Sequence, residues 1–392
     1  MSVGSKMTLP EIKSTAVLAL IFASRMLGLF MVIPVLALYT GILPGATAAT
    51  IGIAAGIYGL TQALFQIPCG LLSDYFGRKP VIMAGLIIFI IGSLIAAFSS
   101  SIAGLIVGRA IQGIGAVGSA ILALVADTTR ETVRTRAMAL IGVSIGVTFI
   151  LAFLLGPILN AHIGLSGIFG LTAAMGIGGI FLLMRVNASQ KSAPLSVKGQ
   201  LQTLLQHRDL WRLNLNIFIL HAVLTAVFLI FPHKIQEVTA LEPHAVWRFY
   251  LPVLVASVIL VAPLVRYADK PYWQKRLMSA AMIGLGLSVL LLMSGHYGIF
   301  LCAATLFFLA FNFLEASLPA LVSRIVPKES KGAALGAYSF SQFLGMFAGG
   351  ILGGCLQQWI GPWAIHVGCL LLIVIGWLTL SIKVRNEIWQ EA

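Results

Sequence analysis

The stretch that decides the fold is Arg78-Lys79 followed by PVIMAGLIIFIIGSLIAAFS at residues 80–99. The second part contains no charged side chain, and a helix needs about 20 apolar residues to cross the hydrocarbon core of a bilayer. A continuous apolar run without alternation is typical of a helix and not of a strand in a membrane barrel. The stretch therefore predicts a transmembrane helix that begins directly after two basic residues.

The composition of the whole chain supports the same interpretation. Of 392 residues, 59% are hydrophobic and 9% are charged, whereas soluble domains carry about 25% charged residues. A chain of this length with so few charges has no soluble surface to present, so we expect a membrane protein and exclude a soluble enzyme. The nucleotide-binding pattern G-x-x-x-x-G-K-[ST] is absent, and the cysteines lack metal-ligand spacing, so we expect no cofactor and no metal site.

Eleven further runs of this kind bring the predicted transmembrane helices to twelve. A polar gap divides them into an N-terminal six-helix half at 1–184, a cytoplasmic linker at 185–212 and a C-terminal six-helix half at 213–392. A weak internal repeat, 135–140 against 330–335, favours two parallel halves. The predicted spans, accurate to a few residues, are 15–38, 50–72, 80–99, 102–125, 137–159, 164–184, 213–232, 247–268, 277–295, 298–321, 333–356 and 363–382.

The basic residues predict the orientation of the chain. The formal net charge is +13, from 25 basic and 12 acidic residues. When alternate loops are compared, 21 basic residues fall on the side of the N-terminus and two, Lys234 and Arg248, on the other. The positive-inside rule then places both termini in the cytoplasm. The positive charge is thus a topology signal, and we expect no nucleic-acid partner.

The loop between spans two and three, which runs GLLSDYFGRK from Gly70, carries a specific pattern. Gly70 permits close helix approach, Gly77 permits a tight turn, and Asp74 and Arg78 are placed for hydrogen bonds and ion pairs at helix ends. The pattern resembles the signature loop G-x-L-x-D-x-x-G-R-[RK] of the major facilitator superfamily. That resemblance implies a latch that holds two halves in one state, completed by an acid at the end of helix four, here Asp127. A plain turn with a helix-capping aspartate is the alternative.

Span four contains a second pattern, RAIQGIG from Arg109. It resembles the superfamily motif R-x-x-Q-G-x-G, which implies a role for Arg109 in proton coupling; an arginine bonded to carbonyls of neighbouring helices is the alternative. The G-x-G-x-x-G sequence in the same stretch has no preceding strand, so we interpret it as helix-packing glycine. We interpret three other pairs in the same way: Gly52 and Gly56, Gly142 and Gly146, and Gly350 and Gly354.

Span five resembles the helix that characterises proton-coupled drug antiporters within the superfamily. Gly146, Gly156 and Pro157 match that subgroup, whereas its final glycine pair is absent. The first helix around Arg25 is similar to the subgroup as well. Over essentially its whole length the chain resembles the YajR-like branch, without that branch's additional C-terminal soluble domain. The resemblance implies an all-α membrane protein with twelve transmembrane helices in two pseudo-symmetric six-helix halves, in a bacterial inner membrane.

Glu315 is the one acidic residue that lies inside a hydrophobic run. Charging a carboxyl in an apolar surrounding is costly. Such a group can therefore bind and release a proton near neutral pH, which is what a coupling site needs. Asn312 lies on the same helical face. Arg25 and Arg109 are the two basic residues deep in spans, and both belong to the other half. An ion pair between the halves is one hypothesis, and a structural pair or asparagine network is the alternative for Glu315.

Further polar side chains follow single helix faces. They are Tyr58, Gln62 and Gln66 on span two, Gln112 on span four, and Tyr338 and Gln342 on span eleven, and His221 on span seven is a candidate titrating group. Such stripes line a substrate cavity or form hydrogen bonds between helices, and the sequence leaves both open.

The function we expect is a proton-coupled secondary transporter that exports small lipophilic or amphipathic compounds by alternating access. A single deep carboxylate among apolar residues favours lipophilic cargo. A metabolite or sugar facilitator or symporter, or a membrane sensor without transport, remains open. The expected partners are a small-molecule substrate, protons and membrane lipid, and we expect a monomer.

Overall fold

The computed structural model describes residues 6–39, 41–186, 207–268, 270–326 and 331–381. All regular structure within these ranges is helical. The predicted linker at 185–212 falls largely on 187–206, outside the described residues.

Thirteen α-helices and two short 3-10 turns, Ala37–Tyr39 and Pro243–Ala245, make up the described chain. Ten helical segments in these ranges are long and apolar enough to cross a membrane. The helices are α1 (Leu9–Leu36), α2 (Ala48–Phe76), α3 (Arg78–Ala97), α4 (Ile102–Ile114), α5 (Gly118–Thr128), α6 (Glu131–Met184), α7 (Arg208–Phe228), α8 (Phe231–Thr239), α9 (Trp247–Ala268), α10 (Pro271–Leu291), α11 (Tyr297–Ile325), α12 (Lys331–Trp359) and α13 (Pro362–Ser381).

The long helix α6 accounts for two predicted spans. It has 54 residues, and its helical geometry is interrupted at Gly164, where φ is 65°. Glycine adopts this left-handed region without the steric cost that a side chain would add. Together with the more polar α10, the ten segments account for all twelve predicted spans. The predicted all-α membrane fold is therefore confirmed.

Span four differs from the continuous helix that we predicted. Helix α4 ends at Ile114, and α5 begins only at Gly118. Between them the amide of Ala116 donates to the carbonyl of Ile114 at 2.7 Å, so a tight turn replaces the helical hydrogen-bond pattern. A Cβ on Gly115 would lie 2.4 Å from the carbonyl oxygen of Gly85. The break therefore sits at a place of close backbone contact with α3.

The described residues fall into two compact units. The first comprises 1–36, 41–46 and 60–195, and the second comprises 37–40, 47–59 and 196–392, in each case over the described positions. The first part of α2 therefore groups with the helices that follow the linker. The predicted half boundaries were drawn by chain order alone and stay a prediction.

Glycines in the second unit bring α2 against α12. A Cβ on Gly52 would lie 2.1 Å from the carbonyl oxygen of Gly350, and one on Gly56 would lie 2.9 Å from Cα of Phe347. These backbones are in direct contact, as the packing interpretation of both pairs required.

The third predicted glycine pair behaves differently. Gly142 and Gly146 lie on an exposed face of α6, and no described atom lies within 4 Å of the Cβ that a side chain would add at either position. The close-contact interpretation is therefore not supported for this pair.

Candidate functional site

Three polar side chains from three helices meet in the second unit. Glu315 lies on α11, His221 on α7 and Gln342 on α12. Nε2 of Gln342 donates to Oε1 of Glu315 at 3.0 Å and lies 2.9 Å from Nε2 of His221. Nε2 of His221 is 3.8 Å from Oε2 of Glu315. We call these residues the Glu315 cluster; the sequence had placed them on separate helix faces.

The contacts of Gln342 indicate the protonation pattern of the Glu315 cluster. An amide nitrogen carries two hydrogens and accepts none, so the imidazole nitrogen facing it accepts. His221 is then neutral with its hydrogen on Nδ1, and Nδ1 faces the carbonyl oxygen of Ile217 at 3.3 Å. A neutral histidine fits its burial, because only 5% of its side chain is exposed.

Glu315 combines access with an incompletely bonded oxygen. Its side chain is 35% exposed, yet Oε2 is buried and has no hydrogen-bond donor among the described residues. A buried ionised oxygen without a donor is costly, and a bound proton removes that charge. Oε2 is therefore the atom of the Glu315 cluster where a proton is best received.

Tyr338 lies on α12, as Gln342 does, and Asn312 lies on α11, as Glu315 does, but their hydrogen bonding differs. Tyr338 is buried, and its hydroxyl has no hydrogen-bond partner among the described residues. Nδ2 of Asn312 donates to Oγ of Ser257 at 3.2 Å. Asn312 is therefore bonded to α9 through Nδ2, and an asparagine network around Glu315 stays a prediction.

The two deep arginines belong to the first unit, where each is only 1% exposed. The guanidinium of Arg25 lies 5.0 Å from the ring centre of Phe89. Nη1 of Arg109 donates to Oε1 of Gln112 at 3.4 Å, and Nε2 of Gln112 donates to Oγ of Ser93 at 2.8 Å. Gln112, predicted as a cavity residue, is thus part of a buried network. The hypothesis of a pair with Glu315 joins residues of different units and stays a prediction.

The predicted latch residues come together at the ends of α2, α3 and α5. Arg78 forms an ion pair with Asp74, and its Nε donates to Oδ2 of Asp127 at 3.1 Å. Its Nη1 also donates to Oγ of Ser73 at 2.7 Å. One guanidinium therefore joins the two predicted acids within the first unit. Its role as a latch between halves stays a prediction.

The structure explains why glycine occupies both positions of this loop. Gly77 has φ 97° and ψ 152°, a backbone conformation that other residues rarely adopt, and α3 starts at the next residue. A Cβ on Gly70 would lie 3.3 Å from Oγ of Ser119, so this position leaves little room for a side chain.

The polar face of α2 is buried in this structure. Tyr58 and Gln62 have no exposed surface and Gln66 is 5% exposed. Nε2 of Gln62 donates to Oε1 of Gln66 at 3.0 Å, and the backbone oxygen of Gln66 accepts from Ser119 at 2.9 Å. These contacts favour hydrogen bonding between and along helices, and cavity lining by this face stays a prediction.

The predicted antiporter helix is part of α6. A Cβ on Gly156 would lie 2.7 Å from the carbonyl oxygen of Met31, so α1 and α6 are in close contact there. Pro157 follows within the helix and is buried. Gly146, on the exposed face, makes no such contact.

Glu11 at the start of α1 is the centre of a hydrogen-bonded cluster that was not predicted from the sequence. Oε1 of Glu11 accepts from the backbone nitrogen of Arg130 at 3.0 Å and from its Nε at 2.9 Å. Oε2 of Glu11 accepts from the backbone nitrogen of Thr8 at 2.7 Å. The spacing Thr8-x-x-Glu11 is a capping-box pattern, which was the available signal.

The sequence matches the Major Facilitator Superfamily over residues 18–264 and 245–391. The chain belongs to this family. Its members are membrane transporters and not enzymes, so the expectation of a non-enzymatic transport protein is confirmed.

Individual relatives agree with this assignment. The chain is 41% identical to the inner membrane transport protein YajR of Escherichia coli (strain K12), over 97% of this chain and 85% of that protein. It is 27% identical to the multidrug resistance protein MdtH of Aeromonas salmonicida (strain A449), over 89% and 91% of the two chains. Among solved structures, the nucleoside transporter NupG has the same fold, with a TM-score of 0.74 at 13% identity over 94% and 98% of the chains.

Proposed function

We propose that the protein is a proton-coupled secondary transporter that exports small lipophilic or amphipathic compounds by alternating access. Membership of the superfamily establishes transport of a small molecule as the activity. The similarity to the multidrug resistance protein MdtH supports export as its direction.

We propose the bacterial inner membrane as its location, with both termini in the cytoplasm. The similarity to an inner membrane transport protein and the apolar helices support the location. The unequal distribution of basic residues between alternate loops supports the orientation.

The observation that carries the coupling proposal is the Glu315 cluster. Gln342 donates toward a carboxylate and a neutral imidazole from one nitrogen. A proton received on Oε2 of Glu315 neutralises the carboxylate and weakens its hydrogen bond to Gln342, because bonds to charged acceptors are the stronger ones. The other hydrogen of the same amide is bonded to His221. Proton binding would thereby change the contacts between α11, α12 and α7.

The surroundings of Glu315 support a lipophilic cargo. The ring of Phe311 lies 5.6 Å from that of His221, and Phe307 and Leu314 are buried nearby on α11. A compound that reaches Glu315 in such a surrounding gains from burial of its own apolar surface. If it competes with the proton for Glu315, proton entry and cargo release are coupled.

Transport into proteoliposomes under an imposed pH gradient tests this proposal, with ethidium as the cationic lipophilic probe. Glu315→Gln preserves shape and removes the titrating oxygen, so we expect ethidium movement to lose its response to the gradient. Glu242→Gln is the matched control, because the side chain of Glu242 is 76% exposed and should leave coupling intact. Unchanged gradient-driven transport in Glu315→Gln would exclude the proposed role.

A further inference from the structure

The second unit contains a cavity of about 330 Å³ that the transport proposal does not use. It is formed at the ends of α7, α10 and α12, along α8 and at the start of α13. Gln357 in its wall follows Gln342 on α12 by 15 residues, which is about 22 Å at a rise of about 1.5 Å per residue. The cavity is therefore separate from the Glu315 cluster.

The floor of the cavity is apolar and buried, and its rim is partly exposed. Val227, Phe231 and Leu292 form part of the floor, each no more than 3% exposed. Trp363 and Met293 lie at the rim, 55% and 46% exposed. A volume of this size is at the lower end of the range for small-molecule sites, about 300–1,000 Å³, and an apolar floor with few polar groups is typical of them.

Two basic side chains lie in the wall of the cavity. Lys234 and His366 both line it, and His366 is 8% exposed. The Nδ1 of His366 is fully buried and the imidazole interacts with the backbone of Pro362, so this nitrogen is not open to the cavity. A lysine ammonium group at the edge of an apolar cavity favours an anionic group there.

Lys234 is available to such a group. Its Nζ contacts Oε1 of Glu237 at 2.8 Å, but Glu237 is three residues away on α8 and its side chain is 67% exposed. Exposed pairs of this kind contribute little stability. A ligand anion that is partly removed from water would therefore compete effectively with Glu237 for the ammonium group.

We propose that this cavity binds a small amphiphilic carboxylate, whose apolar body enters the floor and whose carboxylate is received by the ammonium group of Lys234. Trp363 covers the apolar body at the rim, since an aromatic ring gives contact area at low conformational cost. The volume accommodates a compact acid and excludes most of a phospholipid. The binding site is independent of the coupling mechanism proposed above.

Calorimetric titration of the purified full-length protein with 4-tert-butylbenzoate tests this site. The probe has a compact apolar body and one carboxylate, and 4-tert-butylbenzamide is its neutral match in shape. We expect the acid to bind and the amide to bind at least tenfold more weakly. Equal binding of the two compounds would overturn the proposal.

Two substitutions are expected to change the affinity for the acid in opposite directions. Lys234→Gln should weaken binding of the acid at least tenfold, whereas Glu237→Gln should strengthen it about threefold because the competing carboxylate is gone. Lys13→Gln, an exposed lysine of the first unit, is the control for loss of a positive charge. If Lys13→Gln weakened binding as much as Lys234→Gln, or if Glu237→Gln weakened it, the assignment would fail.

Two further experiments distinguish this site from other places where the probe could bind. Glu315→Gln should leave binding of the acid unchanged, and its loss in that variant would place the probe at the coupling site instead. In nanodiscs we expect equal affinity in phosphatidylcholine and in phosphatidylglycerol. Loss confined to the anionic lipid would assign the pocket to a lipid head group and contradict the small carboxylate.

Discussion

Gln342 is the residue on which the Glu315 cluster depends. Its single amide nitrogen contacts Glu315 at 3.0 Å and His221 at 2.9 Å, so the two titratable groups are bonded to the two hydrogens of one side chain. A hydrogen bond to a charged group contributes about 1.5–3 kcal/mol, and about 1.4 kcal/mol corresponds to a factor of ten. The contacts of one uncharged side chain are therefore large enough to govern coupling.

Gln342→Leu removes both hydrogen bonds while keeping most of the volume. We expect gradient-driven transport to fall about tenfold or more, because neither Glu315 nor His221 keeps its position. A second variant, His221→Leu, tests whether the residues act as a unit. If they do, the double variant loses little beyond either single one, measured as initial rates in proteoliposomes. Losses that simply add would show that the two side chains act independently.

Each member of this cluster was predicted from the sequence as a candidate residue, but the contact between them was not. Helical periodicity assigns each side chain to a face of its own helix, and Glu315 was singled out because it is charged in an apolar run. Which faces meet is decided by how three helices pack, and no pattern within one helix carries that information.

The contact between α2 and α12 rests on the absence of side chains. Carbonyl oxygens and α-carbons of the two helices meet at Gly52 and Gly350, where a methyl group would collide with backbone atoms. Backbone atoms cannot rotate aside as a side chain can, so any substitution must separate the helices. Close packing of this kind is a main source of helix association in membranes.

Gly52→Ala is expected to lower the thermal unfolding temperature and the transport rate, since the new Cβ would start 2.1 Å from the Gly350 oxygen. Gly146→Ala is the matched control within α6, where no described atom lies within 4 Å. Alanine favours a helix over glycine by up to about 1 kcal/mol, so stability should be kept or slightly raised there. Thermal unfolding in detergent, followed by tryptophan fluorescence, measures the stability of both variants. Equal stability of the two variants would contradict the close contact.

The break in span four was not predictable from hydrophobicity. Gly115, Ala116 and Val117 are apolar or neutral, so the run of residues reads as one continuous span. The interruption coincides with the contact of Gly115 with the backbone of Gly85 in α3, which is a tertiary contact. The other spans were found from sequence because a bilayer fixes their length and polarity, whatever their neighbours are.

For the molecule as a whole, membership of the transporter family and the helical fold follow from features that persist along the whole chain. Twelve apolar runs and one signature loop suffice for both. The orientation depends on the basic residues, and it leads to a direct test. Glu242 lies in the connection before α9 and Lys270 in the connection before α10, so the two positions should face opposite sides of the membrane.

Glu242→Cys and Lys270→Cys, each in a background with the four native cysteines replaced by serine, test this orientation. We expect a membrane-impermeant maleimide to label Glu242→Cys on intact cells stripped of the outer membrane. Lys270→Cys should react only after the inner membrane is permeabilised, because its loop is on the cytoplasmic side. The reverse labelling pattern would mean that the termini face outward.

The turn at Gly164 has a practical consequence for handling the protein. Two membrane-crossing stretches are joined there by one residue of left-handed backbone and not by a loop. A protease has no extended segment to grip at this point, and an epitope or fluorescent tag inserted there would have to unwind helix on both sides. Reporter insertions and antibody recognition are better directed to the connection that carries Glu242, where side chains already project into solvent.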